Sequence, residues 1–275
     1  MWVIRDADST IYLTGTIHIL PPELEWRSPK LEAALDESKE LWLEIAIPAD
    51  RARFQRETRP LFLKHARSSG PPLSARLTEP ERKALNAALD RASVPAEARA
   101  EIDRMQPWYV ANLISVGTFV SAGYSSEAGI DNTLARIAHE QGRPVKGLET
   151  PEDQLRVLSG PSEQVQLQAL RAQLAMPPAV TTGIAWVGGQ VFEQWARGNT
   201  LPIEMLISTM ASARGAQKQQ VDALLTDRNE NWAGQIEEML EGSGVSFIAV
   251  GAGHLVGPES VQKRLKLRGI VAERY

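Results

Sequence analysis

The chain has 275 residues, 43% hydrophobic and 23% charged, with 30 lysines and arginines against 34 aspartates and glutamates for a net charge of −4. That balance, without a basic run, argues against nucleic acid as a partner, and no apolar segment approaches the roughly 20 residues that cross a bilayer. The absence of cysteine excludes disulfides, thiolate metal ligands and a cysteine nucleophile.

Residues 3–5 and 10–14, joined by Asp6-Ala7-Asp8-Ser9, predict a β-hairpin. The second strand is β-branched and aromatic; Gly15 ends it and His18 follows three residues later. The chain thus starts inside a strand, as expected if a leader or export signal has been removed. After the rigid exit Ile19-Leu20-Pro21-Pro22, Ser28-Pro29 starts a helix through Leu31, Ala34 and Leu35. Residues 41–45 are a second buried strand with an oddity, Glu44. A carboxylate in an apolar strand must be paired, bound to metal, or pushed towards its neutral form.

Residues 49–128 read as a helical insertion, a lid or wall over a crevice. Gly70-Pro71-Pro72 is its clearest loop and Thr78-Glu79-Pro80-Glu81 a capping box. A helix is expected over 96–105, and a buried or groove-lining one over 108–122. Gly129-Ile130-Asp131 opens another helix, with Asp131 read as its N-cap or, alternatively, as a site residue. A short strand at 145–149 ends in Glu149, and Thr150-Pro151 caps the next helix. A second helical insertion spans 151–242, with breaks expected at Gly188-Gly189 and Gly198-Asn199. The closing unit is a strand at 246–250, Gly251-Ala252-Gly253-His254, a helix over 258–267 and a strand over 270–273. The whole reads as one α/β domain over 1–275, a central mixed sheet built from two related α/β halves.

Two of the four histidines, His18 and His254, share a strand–Gly-x-x-His setting. Groups just beyond the carboxyl ends of parallel strands face one crevice, where ligands bind. A glycine at each break would supply a tight turn or positive φ. Glu149 either joins this site or favours the N-terminus of the helix after it. Arg228-Asn229 is either an ordinary helix start or a pair that positions a carbonyl and its developing oxyanion. His65 reads as solvated, and His139 as a surface residue near a helix end. Two imidazoles with one or two carboxylates suit Zn²⁺, Mn²⁺ or similar ions. Such an ion lowers the pKa of bound water and polarises a carbonyl, with a nearby carboxylate as general base. There is no Gly-x-Ser-x-Gly elbow, no His-Glu-x-x-His helix and no Walker loop.

Taken in order, Gly15-Thr16-Ile17-His18, Leu43-Glu44, Gly129-Ile130-Asp131, Gly147-Leu148-Glu149-Thr150, Arg228-Asn229 and Gly251-Ala252-Gly253-His254-Leu255 form a pattern that resembles the TraB/GumN family, which includes the Tiki proteases. The resemblance runs over essentially the whole chain. It implies a fold near the erythromycin-esterase and ChaN-like proteins, and a metal-dependent peptidase site built from the two Gly-x-x-His motifs and acidic residues. His18, Glu44 and His254 would hold the ion. Mn²⁺ or Co²⁺ is favoured, as in Tiki members that cleave the amino-terminal segment of Wnt ligands, with Zn²⁺ possible. Glu44, Glu149, Arg228 and Asn229 would act on a peptide or protein substrate. Relatives are typically exported or tethered, which implies a periplasmic, secreted or lipid-anchored location. Two other readings stay open: a ChaN-like haem-, iron- or peptide-binding protein without catalysis, and a metal-independent esterase-like hydrolase with a histidine as general base.

Overall fold

The apolar runs become the strands of a single six-stranded mixed sheet, in a computed structural model that describes residues 1–212 and 214–275. The strands are β1 (Trp2–Arg5), β2 (Ser9–Thr16), β3 (Glu40–Ile45), β4 (Val145–Glu149), β5 (Gly244–Gly251) and β6 (Glu273–Arg274), in the spatial order β4-β3-β5-β2-β1-β6. β1 pairs antiparallel with β2 and with β6, whereas β2–β5, β5–β3 and β3–β4 are all parallel. Four parallel strands therefore end at one edge of the sheet, the edge to which His18, Glu44, Glu149 and His254 belong.

The helices in chain order are α1 (Pro29–Glu37), α2 (Arg51–Ala66), α3 (Glu79–Arg91), α4 (Arg99–Ile102), α5 (Pro107–Ser121), α6 (Ile130–Glu140), α7 (Pro151–Ser159), α8 (Glu163–Leu174), α9 (Pro178–Ala196), α10 (Leu201–Ala211), α11 (Ala216–Val221), α12 (Asp227–Leu240) and α13 (Val261–Leu267). Alternation along the strands splits the core into two layers. Phe247 and Ala249 of β5 join Tyr12, Leu41 and Leu43 against α1, α6 and α10, while Ile248 and Val250 face Trp232, Ala233 and Ile236 of α12 and Leu265 of α13. A separate core of Leu85, Leu89, Val110, Ile114, Leu167 and Leu170 holds the helices beside the sheet together. No helix among the described residues is long and apolar enough to cross a membrane.

Most expected elements form within a residue or two; the departures have local causes. β2 does not stop at Gly15 but continues to Thr16. Neither Gly15 nor Gly251 has a positive φ. Gly15 is needed for close approach, since a Cβ there would lie 3.0 Å from the Ala252 Cα. Gly188-Gly189 does not break α9. Added Cβ atoms would lie 2.8 Å from a Phe119 ring carbon and 2.5 Å from the Tyr124 hydroxyl, so the glycines let two aromatic side chains pack onto the helix. Gly129, not Asp131, is the N-cap of α6. The helix expected over 96–105 divides into a 3₁₀ turn at Ala96–Ala98 and the short α4, and the last helix starts at Val261 rather than Pro258. The closing pairing falls at Glu273–Arg274, later than expected.

Candidate active site

The crevice at the carboxyl edge contains a cavity of about 260 Å³ lined by Thr16, His18, Glu44, Phe54, Asp131 and Gln154 among others. The register of the parallel strands assembles it: Thr16 pairs with Gly251, Leu43 with Ala249, and Ile45 with Glu149. Residues separated by more than 200 positions thereby meet.

Glu44 is 8% exposed, and both of its carboxylate oxygens are engaged. Oε1 accepts the Gly251 backbone N–H at 2.7 Å, and Oε2 accepts from Arg228 Nη2 at 2.7 Å and from Gln154 Nε2 at 3.3 Å. Burial by itself would raise its pKa, but the charge that His254 carries once protonated, those of Arg228 and His18, and the Gly251 N–H outweigh it and hold the carboxyl at about 2. Glu44 is thus ionised. Glu149 receives the same guanidinium in bidentate fashion, from Nε at 2.7 Å and Nη2 at 3.0 Å. There burial dominates over the arginine and the Glu149 pKa is raised. Arg228 also lies over the Trp232 ring, 4.7 Å from its centroid. One guanidinium therefore ties together the ends of β3 and β4, the geometry in which arginine outperforms lysine.

His254 sits on a 3₁₀ turn, Ala252–Leu255, directly after β5. Its Nδ1 lies 2.6 Å from Asn229 Oδ1, and its Nε2 lies 3.1 Å from Arg228 Nη1. Arg228 can only donate and an amide oxygen can only accept, so the two contacts fix the neutral tautomer with its proton on Nδ1. Burial agrees, pushing this imidazole down to about 4. Asn229 is consumed at both ends, because Nδ2 donates to the Glu259 carbonyl at 2.7 Å. It orients His254 instead of facing a substrate carbonyl.

His18 behaves oppositely. Its Nδ1 lies 3.2 Å from Asp131 Oδ1, and the bond to that carboxylate raises the imidazole to about 9. With 62% of its side chain open, the pair is screened by water and adds little to stability. Asp131 lines the cavity, and the cap of α6 falls to Gly129. Thr16 and Gln154 line the cavity as well, and no feature of their sequence context distinguishes them. The remaining histidines are less exposed than their surroundings in sequence suggest: His65 Nδ1 contacts Ser159 Oγ at 3.1 Å and His139 Nε2 the Ile47 carbonyl at 2.7 Å.

His18, Glu44 and His254 do converge, around the side chain that Gly251 lacks. A Cβ there would lie 2.9 Å from Glu44 Oε1, 3.5 Å from His254 Cδ2 and 4.0 Å from His18 Nε2. Among the described residues, no group of three His, Asp or Glu side chains is close enough to hold a metal ion as it stands.

Compared with known proteins, residues 1–274 match the TraB/PrgY/gumN family. An uncharacterized protein of Treponema pallidum (strain Nichols) is 23% identical over 279 residues, a span covering 98% of this chain and 81% of that protein. No solved structure matches.

Proposed function

The chain belongs to the TraB/PrgY/gumN family, and from that premise we propose that it is a divalent-metal-dependent hydrolase of peptide bonds. The observation that carries this reading is the cradle at Gly251, around which Glu44 Oε1 and the rings of His18 and His254 gather. Imidazole nitrogen and carboxylate oxygen donors fit Mn²⁺, Co²⁺ or Zn²⁺ in kind, provided that the ion takes His254 Nε2 from Arg228 and displaces the proton of His18. Such an ion, when bound, supplies an acidified water and a polarised carbonyl. The chain's own residues divide the remaining work. Glu44, held ionised, suits a ligand better than a base. Arg228, whose donors are taken by Glu44, Glu149, His254 and the Leu224 carbonyl, lends the site a fixed positive charge and not a hydrogen bond to substrate. Glu149 braces Arg228, and Asn229 keeps the His254 tautomer. The family resemblance would place the enzyme outside the cytoplasm.

One observation favours a second, metal-independent reading. The exposed His18–Asp131 pair keeps a proton at neutral pH and could give it to a leaving amine. The haem-binding reading has less support, since a cavity of about 260 Å³ falls below the roughly 300–1,000 Å³ of sites for drug-sized ligands.

The test is cleavage of a peptide library by chelator-treated protein with and without added Mn²⁺, Co²⁺ or Zn²⁺. Ion-dependent cleavage that disappears in His18→Ala and Glu44→Gln is the expected result. Cleavage undiminished in chelator favours the second reading, and no cleavage under any condition removes both.

A further inference from the structure

Helix α2 leaves the rim of the crevice with an arrangement that the hydrolytic chemistry does not use. It carries five cations, Arg51, Arg53, Arg56, Arg59 and Lys64, against a single acid, Glu57, in a chain whose net charge is −4. Helix periodicity, not adjacency, brings them together, so they form no basic run in the sequence. Arg53, Arg56 and Arg59 are three residues apart, on one exposed side of the helix. Two helix-level costs come with this pattern. Like charges at that spacing repel. Arg51 and Arg53 also occupy the first turn, where the helix dipole disfavours cations and where α2 has no acid.

Local partners do not account for the stripe. Arg51 pairs with Glu127 at 2.9 Å, and Arg53 with Glu57 at 2.7 Å through side chains 68% and 58% exposed, a contact that water largely neutralises. Asp50 caps the helix through its carboxylate, and Lys64 pairs with Glu152 at 3.1 Å. Arg56 and Arg59 are exposed and have no carboxylate partner among the described residues. Only Ala66 of the whole helix is fully buried, so α2 presents its charge on a lightly anchored rod. Phe54, between Arg53 and Arg56, lines the cavity that holds His18 and Glu44. The stripe thus continues directly from the site.

We propose that the Arg53–Arg56–Arg59 ridge of α2 is a docking surface for an acidic segment of a polypeptide, a few consecutive aspartates or glutamates adjacent to the bond that enters the crevice. Three residues per step separate the outer two arginines by about 9 Å along the helix axis, a rise that an extended chain covers in about three residues. Each guanidinium can meet a carboxylate bidentately. A long nucleic acid is a poorer fit, because its other phosphates would lie against a molecule that is acidic overall. The docking of a substrate rests on the peptidase reading; the binding of acidic peptide does not.

The experiment measures fluorescence anisotropy of labelled octaglutamate, octalysine and a single-stranded oligonucleotide of matched charge, titrated with the intact protein and with the R53Q/R56Q/R59Q variant. Thermal melts verify that the variant folds. Octaglutamate should bind, weaken with added salt, and lose about tenfold or more in affinity in the variant, as three exposed ion pairs disappear. Where peptides are cleaved, an acidic flank should lower KM, and the variant should abolish that preference while leaving kcat unchanged. Binding without any cleavage would leave the dock standing and remove the peptidase reading. The proposal is overturned by octaglutamate that does not bind, by binding undiminished in the variant, or by an oligonucleotide that binds the same arginines more tightly than the peptide.

Discussion

Arg228 Nη2 donates to Glu44 Oε2 at 2.7 Å, joining two buried side chains 184 residues apart in the sequence. The pair is structural as well as electrostatic, because the same guanidinium is the partner of Glu149. Breaking a buried ion pair costs about 3–5 kcal/mol when a charge is left uncompensated. Arg228→Met, which leaves two carboxylates unpaired, should reach that range. Glu44→Gln should cost less, since Glu149 still neutralises the arginine. Urea unfolding of the three proteins in chelator checks the order; a Glu44→Gln variant less stable than Arg228→Met would refute it.

Stability should fall on the acid side in two stages. The unfolded chain protonates His254 near its ordinary 6.5 but the folded chain only near 4, so the folded state loses ground as pH drops through that interval. Glu44, ordinarily at 4.5 and held at about 2, stabilises the fold above 4.5 and stops doing so as pH falls towards 2. His18 has the opposite sign, full below 6.5 and lost as pH rises through about 9, and it is weak because the side chain is exposed. Thermal melts across this range should therefore show the first acid limb in wild type and not in His254→Gln.

Asn229→Ala should unlock the tautomer of His254. It strands the imidazole Nδ1–H and the Glu259 carbonyl, at about 1–3 kcal/mol for a buried group left without its partner. Nitrogen NMR of the ring should change from a pure Nδ1–H form to a mixture. A ring that keeps its single form would mean that Arg228 alone sets it.

Gly251→Ala separates the cradle from the fold. The backbone at this position, φ −48 and ψ 132, accepts alanine, so far-ultraviolet dichroism should match wild type. The methyl group would press on Glu44 Oε1, 2.9 Å away, and occupy the space between the histidines. Mn²⁺ affinity measured by calorimetry should drop steeply; unchanged affinity would put the ion elsewhere.

The strands and both Gly-x-x-His turns were readable because β-branched runs and glycine punctuation are local signals. The partners of those residues were not. Nothing near Glu44 announces Arg228, and nothing near His254 except its own motif announces Asn229, since the contacts depend on strand register. Asp131 was readable as a helix-start residue, but which of three neighbours takes the cap depended on how closely the loop carrying His18 approaches Gly129. Gly188-Gly189 illustrates the same ambiguity: a glycine that admits a neighbouring ring and one that ends a helix have the same spelling.

β5 lies between β2 and β3 and pairs with both. On a translating ribosome, β2 and β3 are made first and must wait, unpaired with each other, until roughly two hundred further residues have emerged. Their apolar edges are open throughout that wait, the condition under which nascent chains aggregate or recruit chaperones. Completion of the sheet and delivery of His254 then occur together. A chain truncated before β5 would lack both the centre of the sheet and His254, so even a late stop codon should behave as a complete loss of the protein.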